Sequence, residues 1–172
     1  LHEPYRRQRQ MCIRDRQWDV NLDFNALVDD FFANYFKDAS EPMLDMFNYY
    51  RTWMAYLENE LKIAGGLGQT ITTSQYFPQG TLNTILSFVD KAYEAIEPLK
   101  ATNISLYNTL YDRICLESLA YRKMQIDLYS HMYTDKQITD MKKSFKDDCT
   151  RIGVNKSRES VDITDLWTSW GL

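Results

Sequence analysis

Asp23-Phe24-Asn25-Ala26-Leu27-Val28-Asp29-Asp30-Phe31-Phe32-Ala33-Asn34-Tyr35-Phe36 is the stretch on which the reading of this chain turns. Phe24, Leu27, Val28, Phe31, Phe32 and Tyr35 fall at i, i+3, i+4, i+7, i+8 and i+11, one face of an α-helix, while Asp29, Asp30 and Asn34 occupy the wet side. Asp23 stands where a carboxylate accepts from the free N–H groups of a first helical turn. A face this aromatic needs burial against something large.

Working outward, Lys37-Asp38-Ala39 ends this helix and Ser40-Glu41-Pro42 reads as a restart, with Ser40 as N-cap and Pro42 in the first turn. The second helix carries Met43, Met46, Phe47, Tyr50, Trp53, Met54, Leu57 and Leu61 at helical spacing, and the short link makes the first two helices an αα-hairpin. Ala64-Gly65-Gly66-Leu67-Gly68 stops it. These glycines lack the Lys-Ser/Thr ending and the preceding strand of a phosphate loop. A third helix runs from about Thr81 to Glu97 with Leu82, Ile85, Leu86, Val89, Ala92, Tyr93 and Ile96 on one face, and Pro98 marks its end or a kink. Ser105 to Met132, capped by Thr102 or Asn103, is the longest helical pattern. It bears one stripe of Tyr107, Leu110, Tyr111, Ile114, Tyr121 and Leu128 and a second of Leu116, Leu119, Ala120 and Met124, so it belongs at the centre of a bundle. Thr134 opens a fifth helix, closed by Gly153. The expected fold is all-α, a bundle of about five helices over residues 17–153. Residues 154–172 follow as a polar linker and a short apolar tail, expected as a C-terminal helix or the start of a further segment.

Composition agrees with long helices and short connections: 12 Tyr, 8 Phe and 4 Trp stand against only 6 Gly and 4 Pro in 172 residues. A net charge of −4 argues against a nucleic-acid partner, which needs a basic face. No apolar run reaches the roughly 18 residues of a membrane span. Cys12, Cys115 and Cys149 are too few and too scattered for a disulfide framework or a zinc site, and the latter two read as small core residues.

Residues 1–16, LHEPYRRQRQMCIRDR, differ from everything that follows: basic and without pattern. Met11-Cys12-Ile13-Arg14-Asp15-Arg16 resembles the translation of the transposon mosaic end used to fragment DNA for sequencing libraries. The leader is therefore expected to be a non-native scar, the competing reading being a basic arm for nucleic acid or an acidic lipid surface. Setting aside its five Arg, Glu3 and Asp15 from the 20 basic and 24 acidic residues leaves 15 and 22, a net of −7. A native chain that continues further upstream is the corresponding expectation.

Chemistry is sparse. His131 has Asp127 and Asp135 four residues to either side, which suits a surface ion pair better than a metal site needing three or four ligands. The acid pairs Asp29-Asp30, Glu58/Glu60 and Asp147-Asp148 fall on polar helix faces, where water keeps both members ionised. No catalytic set, cofactor motif or metal-ligand spacing emerges. The candidate carbohydrate or interface contacts are aromatic: Trp167 and Trp170 near the C-terminus and Tyr76 and Phe77 in the loop before the third helix. Their rings can stack on the C–H faces of sugars, or seal the bundle and contact a further domain. The second use is the expected one, since Trp is usually largely buried.

Trp18-Asp19-Val20-Asn21-Leu22-Asp23-Phe24-Asn25-Ala26-Leu27-Val28-Asp29-Asp30-Phe31-Phe32, then Tyr35 and Ala39-Ser40-Glu41-Pro42-Met43, resembles the region just after the barrel in a large bacterial family of glycoside-hydrolase-like proteins. That family is a domain of unknown function related to α-glucuronidases and hexosaminidases. Its pattern is a Trp, an Asp-rich cap, Leu-Ile/Val-acid-x-Phe, then Tyr-Tyr-Gly; here the last reads Tyr35-Phe36-Lys37. The resemblance covers about Trp18 to Met46 and is only architectural beyond, to about Leu128. It implies a multidomain carbohydrate-active parent whose catalytic barrel lies upstream, with these helices packing on that barrel or forming a homodimer face. None of the family's catalytic positions falls in this chain. The compartment stays open, a secreted or periplasmic parent being compatible with the family. The other expectation, independent of the resemblance, is a free-standing helical interaction module.

Overall fold

Seven helices account for most of the described chain in the computed structural model, which describes residues 23–63, 72–158 and 161–172. They are α1 (Phe24–Phe36), α2 (Ser40–Asn59), α3 (Gln79–Ile96), the single turn α4 (Leu99–Thr102), α5 (Ile104–Tyr129), α6 (Asp135–Arg151) and the short α7 (Ile163–Trp170). The five long ones make an all-α bundle. The leader 1–16, Trp18 and the glycine-rich stop at 64–68 lie outside the described residues.

The bundle depends on α5, which is apolar on two faces. Leu110, Ile114, Tyr121, Met124 and Tyr129 join a first core with Phe32 and Phe36 of α1, Met43 and Met46 of α2, and Leu82, Ile85, Val89, Ala92 and Ile96 of α3. Cys115, Leu119 and Ile126 join a second core with Phe145 and Cys149 of α6 and Ile163 and Trp167 of α7. At about 100° per residue, Met124 stands about 40° from Leu110, whereas Cys115, Leu119 and Ile126 cluster about 140–180° away. Met124 thus belongs to the first core and not to the stripe of Leu116 and Leu119. Ala120 falls between the two faces and is exposed.

The aromatic helix is turned relative to its sequence stripe. Its enclosed residues are Phe32 and Phe36, while Val28, Phe31 and Tyr35 are half-buried. Phe36, outside the stripe, is enclosed in the first core, where its ring meets those of Phe31, Phe32 and Tyr35. Phe32 stacks on Phe36 at 5.4 Å and meets Phe47 of α2 at 5.4 Å. Phe32 and Phe47 lie almost equally far from Ala39 along the chain, the relation of partners across an αα-hairpin. Arg113 of α5 holds the other side of α1: its guanidinium lies 4.1 Å from the Tyr35 ring centre and donates to the Tyr35 carbonyl.

Several ends follow local chemistry closely. Asp23 accepts from Asn25 N–H at 2.9 Å and from Ala26 N–H. Asn103, with φ −155°, caps α5 by accepting from Leu106 N–H. Thr134 and Gln137 form a reciprocal capping box at the start of α6. Gly153, at φ 74°, closes α6: Val154 N–H reaches back to Cys149 O at 2.8 Å and Gly153 N–H to Thr150 O. Ser40 departs from expectation. The 3-10 turn delivers the chain already helical, with Ser40 at φ −60°, ψ −44°, so it is the first residue of α2 and caps nothing.

The stretch after α6 also differs from the expected linker. Lys156–Arg158 and Val161–Asp162 pair as a small antiparallel hairpin. Asp162 then caps α7 by accepting from Thr164 N–H at 3.0 Å, which together with the Thr164 hydroxyl and Lys156 holds its carboxyl below the usual carboxylate range.

Two substitutions test this account. Leu82→Ala, at a fully enclosed site in the first core, is expected to cost about 2–5 kcal/mol in urea unfolding. Thr134→Ala is expected to cost about 1 kcal/mol and to fray the start of α6 selectively in amide exchange.

Candidate functional site

The structure separates the four aromatic residues singled out in the sequence. Phe77 is wholly enclosed in the first core, its carbonyl accepting from the Tyr129 hydroxyl at 2.7 Å. Tyr76 beside it is half-buried, and its carbonyl accepts from Trp53 Nε1 at 2.8 Å. Trp167 and Trp170 lie in the second core, on the α6 side, where Phe145 meets their rings edge-on at 6.1 and 5.3 Å. Trp167 is 8% exposed. Trp170 keeps more of its ring at the surface and donates through Nε1 to Asp127 at 3.2 Å. The rings of Phe77 and Trp167 are thus committed to packing and offer no open face.

His131 is exposed in the 3-10 turn after α5, and among the described residues the expected ion pair forms with neither Asp127 nor Asp135. Asp127 is engaged by Lys123 and by the Trp170 indole. No group of three or more potential metal ligands converges among the described residues. Among the same residues, no helix is long and apolar enough to cross a membrane.

Of the acid pairs, Asp29, Asp30, Glu58 and Glu60 are exposed as expected, but Asp148 is not. Its side chain is only 17% exposed and receives two arginines: Arg122 Nη1 at 2.7 Å on one oxygen and Arg151 Nη2 at 2.9 Å on the other. The geometry arises because Arg122 on α5 points toward α6, where Asp148 and Arg151 stand one turn apart. Arg122 also reaches Ser144 Oγ and passes 3.8 Å from Cys115 Sγ. Burial alone would lower the Arg122 pKa, but the hydrogen bond and charge of Asp148 outweigh it and the pKa rises. From Arg151 the network continues to Asp112 on α5.

Around this network the titrating groups are held neutral. Burial, reinforced by the Asp148 charge, pushes the Cys115 thiol up to about 11. Burial and then Cys115 push Cys149 up to about 12. Burial likewise raises Tyr93 and Tyr111. A thiol that keeps its proton is a poor nucleophile, so both cysteines act here as packing groups.

On the outer side of the network lies a groove of about 520 Å³, lined by Tyr107, Asn108, Tyr111, Asp112 and Arg151. Tyr107 and Tyr111 are one turn apart on α5, and so are Asn108 and Asp112, which sets an aromatic pair beside a polar pair. Arg151 lies 5.0 Å from the Tyr111 ring centre, and Lys100 of α4 lies 5.0 Å from that of Tyr107. Tyr93 backs Tyr111 at 4.7 Å. In the sequence the two tyrosines read only as core stripe; the adjacent Asn108/Asp112 pair at the same spacing was the available signal. The approach of Arg151 from α6 had none.

Compared with models of known protein families, with curated proteins and with solved structures, the chain gives no match.

The network is expected to matter more than its surface counterparts. Asp148→Ala, which leaves Arg122 half-buried and unpaired, should cost on the order of 1–3 kcal/mol in denaturant unfolding. Asp140→Ala, which breaks the exposed Lys136–Asp140 pair, should produce no measurable loss. The cysteines set a pH dependence. Because their folded-state pKa values are raised from an ordinary 9.0, the native state holds its protons more tightly than the unfolded chain does. That contribution is complete below about pH 9 and is lost as pH rises toward 11–12. Stability measured by urea unfolding should therefore decline above pH 9, and less steeply in a Cys115→Ala/Cys149→Ala variant.

Proposed function

We propose that this chain is the helical domain of a larger carbohydrate-active protein of the glycoside-hydrolase-like kind, packing on an upstream barrel or forming a dimer face, with catalysis carried elsewhere. The observation that supports this reading best is the backbone at Lys37. The family pattern has Tyr-Tyr-Gly where this chain has Tyr35-Phe36-Lys37, and Lys37 takes φ 51°, ψ −115°. Glycine adopts that conformation freely, and a residue with a Cβ adopts it only under strain. Lys37 and Lys62 are the two non-glycine residues with positive φ among the described residues; Lys62 follows the end of α2. The chain departs from the pattern at this position, and the conformation Lys37 takes is one that the family's glycine would suit.

A docking role of either kind would draw on exposed apolar side chains. Tyr56, Leu61, Ile104 and Met132 are large apolar side chains left exposed. Such groups, when contiguous with a partner surface, add burial on association. A free-standing helical interaction module uses the same surface, so the decision rests on the upstream DNA. A frame encoding alternating strands and helices upstream of Trp18 is expected. An initiator near Trp18, or an upstream frame without that alternation, would overturn the proposal in favour of the free-standing module.

Lys37→Gly offers a second check on the resemblance. Relief of strain should exceed the added entropy of the unfolded chain and raise stability by about 1 kcal/mol, read as an upward shift in Tm. A destabilised variant would show that the turn has no use for glycine.

A further inference from the structure

We draw no further inference here: the strongest candidate, the surface patch of exposed apolar side chains that Tyr56 and Leu61 form around the end of α2, carries nothing because nothing in the structure shows what covers it.

Discussion

A helix that is apolar on two opposite faces can be buried only by having neighbours on both, and α5 imposes that constraint on everything else. Its Leu110–Ile114–Tyr121 face gathers α1, α2 and α3, and its Cys115–Leu119–Ile126 face gathers α6 and α7. The two cores share a helix but few side chains, so the bundle is two packings joined through one backbone. Burial of this kind is the dominant favourable term in folding. It explains why so little polar chemistry is needed to hold the helices in place.

Where polar groups do enter the seam, they are matched. Arg122 brings a charge between α5 and α6, and Asp148 answers it and recruits Arg151 as well. Two charges at such a seam add little net stability over apolar residues of the same size, but losing one of them is costly. The arrangement ties α5 to α6 beside the buried side chains of Cys115 and Cys149. The same cluster turns outward into the Tyr107–Arg151 groove, so one set of residues orders both the seam and the surface beside it.

The helices and most of their ends were readable from spacing and caps. Asp23, Asn103, Thr134 and Gly153 each act as their chemistry implies, because a cap is a local device involving residues two to four apart. What spacing could not give was rotation about the helix axis where the stripe is broad. Phe36 lies outside the aromatic stripe yet is nearly fully enclosed, as part of the core that α1 shares with α2, α3 and α5. Ser40 failed as a cap because the backbone arrives helical. The groove depends on Arg151 meeting Asp112 across 39 residues of sequence, a relation no local pattern records. The hairpin at 156–162 was missed because its strands are too short to show alternation.

The manner in which α7 is attached has its own consequence. It reaches α5 and α6 through indole rings, the Trp170–Asp127 bond and the Lys142 ammonium on the Trp170 carbonyl, and only the small hairpin ties it to the rest of the chain. Ile163 and Trp167 of this eight-residue segment are buried in the second core, and none of its residues enters the first. Local opening of α7 would therefore uncover part of the second core and leave the first covered.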